Sequence, residues 1–132
     1  MTDDDYPGTM PSYRLHLPIG ALRDGASPGD VLTQADLVLG SLHVVERKDV
    51  EAPLVGGRRV GRVVLRFGVD PSSRAEEDEV ARRALAAVIE HLERTVCEVG
   101  PASAVVLSRG TGGRFRPIPP SRPGAGAQRP GL

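Results

Sequence analysis

Aromatic residues are nearly absent. Tyr6, Tyr13, Phe67 and Phe115 are the whole complement, 3% of 132 residues, and there is no tryptophan. A chain this poor in rings builds its core from aliphatic side chains. It also offers few platforms on which bases could stack. Cysteine is limited to Cys97, which excludes an internal disulfide. Formal net charge is zero, so no global field recruits nucleic acid or an anionic membrane. No apolar run approaches the roughly 20 residues that span a bilayer. Met1 to Met10 is acidic and turn-rich, unlike a signal peptide. These absences together lead us to expect a cytoplasmic domain with no membrane partner.

What is present comes next. The length suits one domain, with 39% of residues hydrophobic. Lys48 is the only lysine against many arginines. With the abundant Ala, Gly, Val and Pro, that bias suggests a GC-rich bacterial or phage gene. Residues 1–11, with Asp3, Asp4, Asp5, Pro7 and Pro11, are expected to be disordered, as is the Pro/Gly-rich stretch 119–132. The folded domain is expected over 12–118.

Within it, Tyr13, Leu15, Leu17 and Ile19 alternate with polar residues, the period of a half-buried strand, with Pro18 expected at its end or at an unpaired position. A loop is expected over 20–29. Ser27-Pro28-Gly29-Asp30 reads as a helix start, and apolar residues from Val31 to Leu42 follow at helical spacing. An extended reading of Ala35 to Val45 competes with that helix. Leu42–Arg47 and Val50–Val55 read as one interrupted strand or two, and Gly56-Gly57 as a hairpin turn. Val63, Leu65 and Phe67 share one face of the next strand; Arg62, Val64 and Arg66 share the other. Ser73 and Glu76 have capping-box spacing before a helix expected to run to about Cys97. Its apolar stripe is Ala81, Ala84, Leu85, Val88, Ile89, Leu92 and Val96. Ala104–Leu107 reads as a strand, Gly110–Gly113 as a turn, and Arg114–Ile118 as an extra edge strand. The order predicts an α+β domain of the ferredoxin-like βαββαβ type, an antiparallel sheet with helices on one face.

Chemistry-bearing constellations are sparse. His16, His43 and His91 have no partners at metal-ligand spacing, and no catalytic set, metal or cofactor is expected. Cys97, expected in the last helical turn, faces the negative dipole end, which disfavours the thiolate. Glu76, Glu77, Asp78 and Glu79 read as a solvated first turn. Gly110-Thr111-Gly112-Gly113 lacks the Lys-Ser/Thr of a phosphate loop. Arg114-x-x-Pro117-x-x-Pro120 matches a proline-rich ligand, a spacing common by chance in such a tail.

Charge distribution is more telling. In the expected sheet, Arg14, His16, Arg62, Val64 and Arg66 share the open face, which carries no aromatic residue. That face is the candidate interaction surface. The function expected is a non-enzymatic binding or assembly domain that self-associates through it, as a homo-oligomer or with a protein partner. A regulator that binds nucleic acid or another anion through the arginines is the alternative. A small enzyme using His16 or His43 as a lone acid-base is the third.

Overall fold

Alternation and helical spacing decide which residues turn inward, and the computed structural model follows both. It describes residues 10–111 and 113–119. Of the stretches expected to be disordered, 1–11 and 119–132, residues 1–9 and 120–132 lie outside the described residues. Strand β1, Ser12–Leu22, buries Tyr13, Leu15 and Leu17 and leaves Arg14 and His16 half-buried on the opposite face. It is longer than expected. Pro18 does not end it: this residue lies where β1 stops pairing with one neighbour and begins pairing with another.

Helix α1, Pro28–Leu42, is a helix throughout, so the extended reading of Ala35–Val45 fails. A reciprocal cap explains its start. Ser27 Oγ accepts from the Asp30 amide, and Asp30 accepts from the Ser27 amide at 2.9 Å. Val31, Ala35 and Leu39 are buried at steps of four. Strand β2, Val44–Glu51, is continuous rather than interrupted, with a bulge between Val45 and Arg47 that absorbs Glu46. The Gly-Gly turn joins β3, Leu54–Val55, to β4, Arg58–Arg59, as a small separate ribbon. Gly56 and Gly57 sit at φ 59° and 81°, the positive angles that this two-residue turn requires.

Strand β5, Arg62–Gly68, buries Val63, Leu65 and Phe67. Helix α2, Arg74–Thr95, is capped by Ser73 Oγ, which accepts from the Glu76 amide at 3.2 Å. It buries Ala81, Ala84, Val88 and Leu92, while Leu85, Ile89 and Val96 are only half-buried at its margins. The helix stops before Cys97, which opens strand β6, Cys97–Val99. One 3-10 turn, Ala102–Ala104, precedes β7, Val106–Thr111, and β8, Arg114–Pro117, is the extra edge strand.

The result is an α+β molecule with a six-stranded antiparallel sheet and two helices. The order is β2-β5-β1-β7-β8, with β6 also on β1. This departs from the expected four-strand scheme. Two strands follow α2 and share β1: β7 pairs with Tyr13–His16, and β6 pairs at Ile19 and Leu22. Tyr13, Leu15, Leu17, Val63, Leu65, Phe67 and Leu107 form a single core with the buried stripes of both helices. Among the described residues no helix lies on the other face of the sheet. Among the described residues no helix is long and apolar enough to cross a membrane.

Candidate functional site

Strand pairing decides what the uncovered face presents. Arg14 lies directly opposite Arg66, His16 opposite Val64, and Pro18 opposite Arg62. Cross-strand partners share a face, so Arg14, His16, Arg62, Val64 and Arg66 form one surface. The edge strand β2 adds Arg47, Asp49 and Glu51 opposite Arg66, Val64 and Arg62.

Those β2 residues set the electrostatics. Glu51 holds Arg62 at 2.6 Å, Glu46 holds Arg66 at 2.9 Å, and Arg47 lies 3.7 Å from Asp49. Glu46 also accepts from Ser12 Oγ at 2.9 Å. These pairs are exposed enough that each contributes little stability. Their effect is to neutralise the arginines locally. Arg14 forms no ion pair among the described residues.

Contrary to the sequence expectation, the face does carry an aromatic ring. Phe115 of β8 lies opposite Gly110 of β7, and the Arg14 guanidinium sits 4.4 Å from its ring centre. Arg66 is 5.4 Å from the same ring. Gly110 makes this possible. A Cβ there would stand 3.0 Å from one ring atom and 3.2 Å from the next, so any side chain would push the ring away. Sequence reasoning missed Phe115 because its face depends on how β8 registers on β7. The alternation Arg114-Phe115-Arg116 was the available signal. A shallow recess of about 260 Å³ opens among these groups.

His16 lies in that recess with its pKa lowered by partial burial, then by Arg62 and Arg14, against an opposing pull from Glu51. It is therefore neutral near pH 7. His43 is elsewhere, against Phe67 at 5.5 Å, with its pKa also lowered by burial. The two histidines do not converge. His91 bridges the helices through Gln34 Oε1 at 2.8 Å. Among the described residues no three His, Cys, Asp or Glu side chains gather as metal ligands. Cys97 is buried, and its thiol pKa is raised by that burial and then by Glu93.

A second cluster was not anticipated. Arg109 Nη2 donates to Glu77 Oε1 at 2.8 Å, and its Nη1 donates to Asp78 at 3.2 Å and to the Tyr13 hydroxyl. Tyr13 in turn donates to Asp78. Glu77 also accepts the Ser72 amide at 2.8 Å and is only 5% exposed. Burial, with Asp78 next, raises the Tyr13 pKa far above the ordinary phenol value. Glu77 and Asp78 are thus not a solvated first turn. They clamp α2 to β1 and β7. The signal was parity: Glu77 is four residues before Ala81 on the buried stripe, and Arg109 is two after Leu107 on the inward face of β7. Every polar group in the cluster is engaged by another, which suits anchoring rather than turnover.

The turn expected over Gly110–Gly113 is tighter than that, because Gly110 and Thr111 pair with Phe115 and Arg114 at the closed end of the β7–β8 hairpin. Arg114 and Pro117 are paired in the β7–β8 ladder, in keeping with a chance match to the proline-rich spacing, and Pro120 lies outside the described residues. Compared with models of protein families, with curated proteins and with solved structures, the chain matches none. Its own residues carry the functional argument.

Proposed function

We propose that this chain is a small non-enzymatic binding domain that self-associates through the uncovered sheet face. The observation that carries this is the internal neutralisation of that face. Arg62 and Arg66 of β5 already face the β2 carboxylates Glu51 and Glu46, and Arg47 lies beside Asp49 within β2. A second copy related by a twofold axis would set the β2 carboxylates of each against the arginines of the other. Nucleic acid would have to displace those carboxylates before the arginines could meet phosphates, which weakens the alternative. With Val64 and Phe115 as its main apolar groups, the face suits a modest, separable contact rather than an obligate one.

We read the frame as an elaborated split βαβ sheet of the ferredoxin-like type. In support, β1, α1, β2, β5, α2 and β7 follow that order, with β3, β4, β6 and β8 as the elaboration. We place the domain in the cytoplasm on its single cysteine and the lack of any apolar span.

Light scattering behind size exclusion tests the reading. The wild-type chain should run as a concentration-dependent oligomer. Val64→Asp puts an unpaired charge at the centre of the contact and should yield a folded monomer. Arg62→Ala and Arg66→Ala should weaken association less and in a salt-sensitive way. A wild-type chain that stays monomeric at high concentration overturns the proposal. Salt-dependent retention of random DNA or RNA would favour the alternative instead.

A further inference from the structure

The geometry points to a binding site for one small oxyanion, a carboxylate or phosphate group, held by Arg14 and Arg66 over Phe115. This goes beyond self-association and needs only that the face be accessible.

The first argument is a charge imbalance. Arg14 and Arg66 are direct cross-strand partners, and like charges in that position repel. Glu46 relieves Arg66 at 2.9 Å, and its other recorded partner is Ser12, not Arg14. The second argument is a stranded donor. Arg14 Nε is shut off from water and has no hydrogen-bond partner among the described residues, an exception among buried polar groups that asks for an explanation. An oxyanion accepting from the Nη–H groups of Arg14 and Arg66 would pair the uncompensated cation, and a small turn of the Arg14 guanidinium towards it would bring Nε–H into the same fork.

The third argument is preorganisation. The Phe115 ring, seated over Gly110, lies within 4.4 and 5.4 Å of the two guanidinium carbons and limits their rotamers in advance of binding. The recess of about 260 Å³ has room for a small anion and part of its hydration. Its lining also includes Asp49 and Glu51, which oppose a long polyanion and so select for a single anionic group.

The test follows arginine Nε–H resonances of the full chain by NMR. Potassium phosphate and potassium acetate are titrated separately, with potassium chloride holding ionic strength constant. A saturable shift of the Arg14 Nε–H is expected with at least one of them. Arg14→Gln should abolish saturation at the neighbouring Arg66 signal. Gly110→Ala displaces the ring, leaves both arginines in place, and should weaken binding about fivefold. It also decides the matter if Arg14→Gln fails to fold.

A dilution series without added anion separates the sources. An Arg14 signal that moves with protein concentration identifies a carboxylate of a second copy; one that does not identifies a free anion. A response no different from chloride, with no concentration dependence, overturns the site. So does saturation unchanged in folded Arg14→Gln. The mass from light scattering is an independent readout, so failure of this site and failure of self-association are distinguishable.

Discussion

Replacing Arg109 with methionine tests the clamp that holds α2 on the sheet. The substitution keeps an apolar stem and removes the guanidinium that bridges Glu77, Asp78 and Tyr13. Its side chain is 15% exposed, and those of Glu77 and Asp78 are 7% and 14%. Removing one partner of a buried pair costs about 3–5 kcal/mol, because the remaining charges are left uncompensated. Two features hold the loss near the lower end. Glu77 keeps the Ser72 amide, and Asp78 keeps the Tyr13 hydroxyl. The expected loss is therefore about 3 kcal/mol, read as a lower urea midpoint with an unchanged slope.

Adding Glu77→Gln to Arg109→Met should recover part of the loss, since one stranded charge is gone. A deficit under about 1 kcal/mol would mean the cluster behaves like a surface pair and the clamp argument is wrong.

Leu92, fully buried between α2 and the sheet, should cost about 2–5 kcal/mol when replaced by alanine, read from the same urea curves; a loss under half a kilocalorie would contradict its place in the core. His16 and His43 both have lowered pKa values in the folded state. Their contribution to stability is present in full above about pH 6.5, the unfolded value, and is lost as pH falls through the lower folded values. The melting temperature should therefore drop between about pH 6.5 and 5, and His16→Gln should flatten that slope; an identical slope in the variant would show that His16 is not held neutral by its surroundings.

Much of the frame was legible because local rules and tertiary packing agree there. Ser27 and Ser73 announce their helices through side chains that satisfy the first amides; both caps form, with the reciprocal box closed at Ser27 and only the serine half of the expected box at Ser73. Tyr13, Leu15 and Leu17, with Val63, Leu65 and Phe67, alternate strictly, and each is buried. Gly56-Gly57 makes its turn for a reason intrinsic to glycine. Cys97 was misplaced because apolar spacing continues past Thr95 into Val96 and Cys97. Nothing local says that the chain there leaves the helix to pair with the far end of β1. Pro18 misled for a related cause: it marks a change of partner, and partners lie outside any sequence window.

Composition, alternation and capping by themselves determined an aliphatic core, the amphipathic helix after Ser73 and a sheet with one polar side, because each depends on residues a few positions apart, whereas the helix after Ser27 competed with an extended reading until packing decided it. They also placed Arg14, His16, Arg62, Val64 and Arg66 together, since strand parity and one antiparallel pairing suffice for that. Only the tertiary structure decided what surrounds those five. The register of β2 on β5 brings acids to Arg62 and Arg66. The β7–β8 ladder swings Phe115 over Gly110 and against Arg14. The meeting of α2 with β7 turns Glu77, Asp78 and Arg109 from surface charges into a clamp. In each case the partners are twenty or more residues apart, or their facing depends on a register, and charge and solvation follow from neighbours in space rather than in sequence.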